Sequence, residues 1–185
     1  MEYTYTGTIH LIIGPMWAGK TSELIRLKRR SDLIGRKTLC IKYFNDCRYS
    51  DENINTHDGV SYPAIKSTGK SLKETIKNIN NVLNYDDVFI DEIQFYDDAC
   101  EICEMLANCG INVIVCGLQG DFNRNGFKSV IELLPKADKI THLTAIDKKD
   151  GNDCAFTKRL NTDEKIEVIG GKDIYEACNR KNYFK

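Results

Sequence analysis

Long apolar runs are missing from this 185-residue chain: no stretch approaches the roughly 20 residues that cross a bilayer as a helix. The opening Met1-Glu2-Tyr3-Thr4-Tyr5-Thr6-Gly7 holds no basic segment followed by an apolar one, so it does not read as a secretory leader. Nor does one sign of charge dominate. Lys and Arg number 26 against 27 Asp and Glu, a net charge of -1, which lacks the basic footprint of a nucleic-acid binder. The Lys28-Arg29-Arg30 run reads as the solvated face of a helix. No unit repeats and no tract is of low complexity, which argues against a repeat array. The expectation is a soluble, cytoplasmic protein with neither a membrane nor a nucleic acid as partner.

Cysteine is not scarce, but its pattern is. The chain has 8, of which Cys40 and Cys116 sit within apolar strand-like runs and should behave as small buried hydrophobes. Cys100-x-x-Cys103 has no matching second pair and falls in a predicted helix with Cys109 close by, so free thiols in a reducing compartment are the better reading. His10, His57 and His142 show no clustered ligand spacing and read as solvated or satisfied histidines.

Against these absences one stretch stands out. Gly14-Pro15-Met16-Trp17-Ala18-Gly19-Lys20-Thr21 fits G-x(4)-G-K-[ST] at every fixed position, between the apolar His10-Leu11-Ile12-Ile13 and the helical pattern that starts at Ser22. Such a loop curls its backbone N–H groups around a polyphosphate, while Lys20 neutralises the transferring phosphate and the Thr21 hydroxyl serves Mg²⁺.

The rest of the chain alternates strand and helix. Residues 20–34 read as a helix capped by Gly35, and Thr38-Leu39-Cys40-Ile41-Lys42-Tyr43 as a strand. Residues 45–59 form a long polar loop carrying Asp46, Arg48, His57 and Asp58. Ser71-x-x-Glu74 is a capping box, and Leu72, Ile76, Ile79 and Leu83 repeat behind it at helical spacing. Val88-Phe89-Ile90 is a strand that ends in Asp91-Glu92. Residues 97–109 read as a helix closed by Gly110, 112–116 as a strand, 117–127 as a glycine-rich loop, 129–134 as a short helix and 139–145 as a last strand. The fold class is therefore α/β: a P-loop parallel sheet flanked by helices, with ligands at the C-terminal ends of the strands. From residue 146 the pattern turns polar, with one β-like run, Lys165-Ile166-Glu167-Val168-Ile169, ended by Gly170-Gly171. The expected division is a main domain over 1–145 and a small β appendage over 146–185.

Asp91 sits where P-loop proteins place the acid that positions Mg²⁺. Its neighbour Glu92 points elsewhere, as adjacent residues at a strand end do, and an ionised glutamate there can accept a hydroxyl proton as a bond to phosphorus forms. Arg48 and Arg124, in the two long loops, are candidates to stabilise charge on the phosphoryl group. Two other classes compete. A regulatory GTPase would explain Asp147-Lys148-Lys149-Asp150 as a guanine-reading motif, but the first residue is wrong and Gln94 replaces the switch glycine. An ATP-dependent remodelling module would hydrolyse ATP on partner binding rather than phosphorylate a small acceptor.

The motifs together resemble the type II, or cellular-type, thymidine kinases over nearly the whole chain. Ile12-Ile13-Gly14 through Thr21 resembles that family's P-loop, Asp46-Cys47-Arg48-Tyr49-Ser50 with Thr56-His57-Asp58 its D-x-R-Y and T-H-D loop, and Asp91-Glu92-Ile93-Gln94-Phe95 its D-E-x-Q-F segment. Gly117-Leu118-Gln119-Gly120-Asp121-Phe122-Asn123-Arg124 resembles its L-D-G-x-F-x-R loop with Gln119 and Asp121 as substitutions. Thr157-Lys158-Arg159-Leu160 and Ile166-Glu167-Val168-Ile169-Gly170-Gly171 with Tyr175 are similar to its T-K-R-L and V-E-V-I-G-G segments.

The resemblance implies transfer of the ATP γ-phosphate to the 5'-hydroxyl of thymidine, with Mg²⁺. By it, Glu92 is the general base, Lys20 and Arg48 are phosphate clamps, and Thr21 and Asp91 form the magnesium side. Gly14 to Thr21, Asp46, Cys47, Arg48, Asp91, Glu92, Ile93 and Gln94 make up the nucleotide site. Ile166, Glu167, Val168, Ile169 and Gly170 form a lasso that reads the thymine edge mainly through backbone groups; separately, the Gly170-Gly171 pair suggests a flexible joint for this loop to close with Tyr175 as a lid. Phe95, Phe122 and Phe127 pack beside the base, Met16, Leu118, Thr157 and Tyr175 shape the methyl pocket, and Arg159 belongs to the same site. The resemblance also implies a homotetramer and dTTP as feedback inhibitor. One departure is clear. Relatives carry four cysteines for a structural zinc in the small domain, and the corresponding positions here are Asp147, Asp150, Asn179 and Asn182, so no structural zinc is expected.

Overall fold

The computed structural model describes residues 7–45, 53–55, 61–161 and 174–185. In chain order its elements are β1 (Ile9–Gly14), α1 (Lys20–Leu33), β2 (Thr38–Lys42), β3 (Asn53–Asn55), β4 (Ser61–Pro63), β5 (Ile65–Lys66), α2 (Leu72–Lys77), β6 (Asp87–Ile90) and α3 (Ala99–Asn108). Then follow β7 (Asn112–Leu118), α4 (Lys128–Leu133), β8 (Lys139–His142), β9 (Ala145–Ile146), β10 (Asp153–Cys154), β11 (Phe156–Arg159), β12 (Tyr175–Cys178) and α5 (Arg180–Tyr183). Six strands form one sheet in the order β5-β2-β6-β7-β1-β8, and every pairing in it is parallel.

The central strands β1, β2, β6 and β7 are mostly apolar and buried because both faces are covered, whereas the edge strands β5 and β8 are largely exposed. Leu11, Leu39, Ile41, Val88, Ile90, Val113 and Val115 point to one core, shared with Ile102, Cys103 and Leu106 of α3. The alternate positions Ile12, Cys40, Phe89, Ile114 and Cys116 point to the other, with Leu24 and Ile25 of α1. This period of two is what a strand buried on both sides dictates. Burial pushes the Cys40 thiol up to about 12, so it packs as a hydrophobe. Cys100 and Cys103 are free and buried on α3. His10 is buried and shares a 2.8 Å hydrogen bond with Thr141 Oγ1. Among the described residues no helix is long and apolar enough to cross a membrane.

Local differences from the sequence reading have physical causes. The helix that opens at the Ser71 cap ends at Lys77 rather than reaching Leu83. Asn78, Asn80 and Asn81 follow, residues whose side chains compete for the backbone, and Asn81 takes a left-handed conformation at φ 54°. Leu83 is left exposed. Asp98 precedes α3 yet serves α2, accepting from the Ser71 hydroxyl at 2.7 Å and from Leu72 N–H at 2.8 Å. The basic run on α1 is not simply solvated: Arg29 Nε donates to Tyr62 Oη at 2.7 Å and Lys28 lies 4.9 Å from the same ring. The last strand stops at His142, where the chain leaves the sheet for β9.

Two hairpins, β9–β10 and β11–β12, and α5 make the small module. Asp147 and Asp150 converge there on Asn179 and Asn182. Asp147 Oδ2 accepts from Asn179 N–H at 2.9 Å and Asn182 Nδ2 at 2.8 Å, and its Oδ1 from Lys149 N–H at 2.9 Å. Asp150 Oδ2 accepts from Asn179 Nδ2 at 2.7 Å, and Asn182 N–H donates to Asn179 Oδ1 at 3.0 Å. These four residues do not fit a structural zinc: none is a thiolate or imidazole, and their oxygens already accept from one another's amides. Nearby, burial pushes the Cys154 thiol up to about 11 and raises that of Cys178. The clasp is a hydrogen-bonded one. The Asp150 carboxylate is engaged in it, which is a different role from reading guanine.

The clasp has an acid limit. Burial alone would raise the Asp147 pKa, but the Asn179 N–H, the Asn182 amide and the Lys149 N–H outweigh it and hold the carboxyl below its usual range. The Asn179 amide, then Asn152, does the same for Asp150. A carboxylate with a depressed native pKa contributes stability above its unfolded value of about 3.9 and loses that contribution as pH falls through the native one. Hydrogen exchange should therefore show the Asn179 and Asn182 amides opening only below about pH 4. At neutral pH, chelator should leave the unfolding temperature unchanged and elemental analysis should find no stoichiometric zinc. One zinc per chain, released only on unfolding, would refute the assignment.

Candidate active site

The loop between β1 and α1 is shaped by its two glycines. A Cβ on Gly14 would stand 2.5 Å from Leu143 O, and Gly19 takes φ +78° to hand the chain into α1. The helix then starts with Glu23 N–H donating to Gly19 O at 2.9 Å. Lys20 folds back over the loop, its Nζ 2.7 Å from Pro15 O. The Met16 N–H donates to Thr157 Oγ1 at 3.0 Å, which ties the loop to β11 of the small module. Beside that tie a cavity of about 120 Å³ opens, lined by Pro15, Gln119, Gly120, Asp121 and Thr157 among others.

Asp91 follows β6 directly, and strand alternation aims its side chain to the α1 side, as it does Phe89. Thr21 Oγ1 lies 3.4 Å from Asp91 Oδ1 and 3.3 Å from Oδ2. Two hard oxygen donors side by side at the end of a phosphate loop suit Mg²⁺, which prefers carboxylate, hydroxyl and water oxygens. On its other flank Asp91 Oδ1 accepts from Cys116 Sγ at 2.8 Å and from Glu92 N–H at 3.0 Å. Burial first, and the Asp91 charge second, push the Cys116 thiol well up, so it remains a proton donor to that carboxylate. The sequence reading treated Cys116 only as a hydrophobe. Ile90 pairs with Val115 in parallel register, which puts Asp91 level with Cys116, and no local sequence pattern carries that register.

At Glu92 the alternation breaks. Its backbone is left-handed, φ 54° and ψ 46°, a conformation costing a non-glycine residue on the order of 1 kcal/mol or more. The turn separates two adjacent carboxylates. Glu92 Oε2 accepts from Gln94 Nε2 at 2.6 Å, and Gln94 Oε1 from Leu118 N–H at 3.0 Å.

The residues expected to surround an acceptor gather in two groups. Phe95 packs on Tyr43, ring centroids 4.9 Å apart, and on Phe127 at 6.2 Å. Arg159 is buried with its guanidinium 3.9 Å from the Phe122 ring centroid, and it donates to Tyr175 Oη. Arg124 lines the same cavity as Pro15 of the phosphate loop and stacks on Tyr183 and Phe184, 4.6 and 4.7 Å from their ring centroids. The substituted Asp121 organises its own loop, Oδ1 accepting from Asn123 and Asn125 N–H at 2.8 Å each. Gln119 Nε2 donates to Ala155 O at 2.8 Å. Asp46, Cys47, Arg48, His57, Asp58, Ile166, Glu167, Val168, Ile169 and Gly170 lie outside the described residues.

Comparison with known proteins agrees with this geometry. The family model described as "Thymidine kinase" matches residues 7–183. The thymidine kinase of Myxoma virus (strain Lausanne) is 41% identical over 180 residues, 97% of this chain and 98% of the relative. That of Raccoon poxvirus is 41% identical over 177 residues, 96% and 97% of the two chains. That of Sheeppox virus (strain KS-1) is 38% identical over 184 residues, 100% and 99% of the two. A phosphate loop facing a carboxylate pair, on a chain matched along nearly its whole length, leads to one conclusion: the chain belongs to the thymidine kinase family.

Proposed function

We propose that this chain transfers the γ-phosphate of ATP to the 5'-hydroxyl of thymidine, giving dTMP for DNA-precursor salvage. The observation that carries the proposal is the approach of the Thr21 hydroxyl to within 3.3 Å of the Asp91 carboxylate. It sets the phosphate loop beside the carboxylate pair. The P-loop N–H groups from Gly14 to Thr21 hold the phosphates of ATP, and Lys20 and Arg48 clamp the one that moves. Thr21 and Asp91 would hold Mg²⁺, which would supply charge neutralisation to the phosphates. Glu92 aligns the 5'-hydroxyl and takes its proton as the new oxygen–phosphorus bond forms and the bond to the ADP oxygen breaks. Ile93 frames the nucleotide side with Asp46 and Cys47.

Phe95, Phe127 and Phe122 flank the base, with Met16, Leu118, Thr157, Arg159 and Tyr175 around it and Ile166, Glu167, Val168, Ile169 and Gly170 along its edge. The working division is a kinase domain over residues 1–145 and a small lasso domain over 146–185. A cytoplasmic homotetramer inhibited by dTTP completes the reading.

Glu92→Gln should lower kcat by about two to four orders of magnitude while ATP still binds. Turnover near that of the parent protein would sink the base assignment. Given ATP and Mg²⁺ with thymidine, deoxyuridine, deoxycytidine and purine deoxynucleosides, the protein should phosphorylate thymidine best. Preference for a purine would overturn the substrate. Light scattering should return four times the 21.1 kDa chain mass, and a monomer would contradict the assembly.

A further inference from the structure

We propose that Gln94 is the positioning residue of the general base, acting through Glu92 rather than on the nucleotide, and that the end of β7 is the surface it is built against. The proposal rests on the reading of Glu92 as the base. Gln94 is buried, 7% exposed, with an amide that has one acceptor and a donor pair. Both ends meet a chemically fixed partner. The Glu92 carboxylate at 2.6 Å can only accept and the Leu118 N–H at 3.0 Å can only donate. Turning the amide over would oppose oxygen to oxygen and N–H to N–H, so the two partners settle its orientation. Gln94 thereby links the base to the backbone at the end of a central strand.

The surroundings carry the same imprint. Glu92, Ile93, Gln94 and Phe95 form one tight turn, closed by Phe95 N–H donating to Glu92 O at 3.1 Å, and anchored by the wholly buried Ile93. That turn lies on Gly117. A Cβ there would stand 2.8 Å from Ile93 Cγ2 and closer still to Gln94 Oε1. Residue 117 is therefore glycine so that the Gln94 amide can reach Leu118 N–H. A left-handed glutamate is costly on its own, and a hydrogen bond from a side chain fixed at both ends holds its carboxylate to one place. In a largely dissociative transfer the benefit of a base lies in alignment, and a small misplacement of a reacting group can cost about a hundredfold in rate.

The test is a double-mutant cycle in the full-length protein with thymidine and MgATP. Gln94→Met keeps length and volume but removes both hydrogen bonds. It should lower kcat by about 10- to 100-fold with ATP affinity unchanged, and lower the unfolding temperature because Leu118 N–H loses its acceptor. In the Glu92→Gln background the same substitution should cost little more, because Gln94 then has no base to position. Gln94→Glu keeps an acceptor for Leu118 N–H but replaces the donor to Glu92 with a second carboxylate, which removes the positioning bond and adds like-charge repulsion at the base. It should show the same fall in kcat, which covers the case in which the Met variant fails to fold. A parent-like kcat in either single variant, or a loss from Gln94→Met that is as large without Glu92 as with it, would overturn the proposal. Near-parental turnover of Glu92→Gln alone would overturn the base reading itself, and is told apart by that variant.

Discussion

The left-handed turn at Glu92 is the constraint on which this site depends. A strand presents successive side chains to opposite faces, so two neighbouring acids at its end would ordinarily be committed to opposite sides of the sheet. Here Asp91 keeps strand parity and meets Thr21 and Cys116, while Glu92 leaves the strand and is caught by Gln94. The backbone strain is local, and it is offset by the core that covers Ile90 and Ile93. One apolar strand thus delivers two carboxylates to different partners within one residue.

Strand β6 shows how burial and pairing divide acids by role. Asp87 opens the strand and is buried; burial would raise its pKa, but the Arg36 guanidinium at 2.6 Å and the Asn112 amide at 2.9 Å hold it below the usual range. That acid is paired on the sheet's N-terminal side, where it joins β6 to β7 and to the turn after α1. Asp91 closes the same strand on the C-terminal side, facing a hydroxyl and a thiol. A parallel sheet brings all its C-terminal ends to one rim, so Gly14, Asp91 and Leu118 end near one another. The sequence-distant pieces of the site are neighbours because of strand order.

Among the described residues, directed bonds join the C-terminal hairpins to this rim. Thr157 accepts from the P-loop, Gln119 donates to Ala155, and Tyr183 Oη donates to Phe122 O at 2.7 Å. The hairpins themselves are drawn together by two carboxylates and two asparagines, where the thymidine kinase resemblance would place thiolates on a metal. Amide-to-carboxylate bonds close the same two chain segments without a cation. They differ in what opens them: acid protonates the carboxylates, whereas a metal site is opened by a chelator.

The sequence by itself determined the phosphate loop, the α/β alternation and the carboxylate pair, because each rests on local pattern: glycine spacing, apolar periodicity and a strand ending in acids. It also carried the substitution at the four zinc positions. It could not place the end of the second helix, where three asparagines overrode apolar spacing, nor foresee that Asp98 would cap the helix before its own. Tertiary structure alone decided that Cys116 bonds Asp91, that Arg124 stacks on the C-terminal aromatics, and that Gln94 spans Glu92 and Leu118. Those contacts depend on parallel register and loop closure between residues far apart in the chain, and no local pattern encodes the register of one buried strand against another.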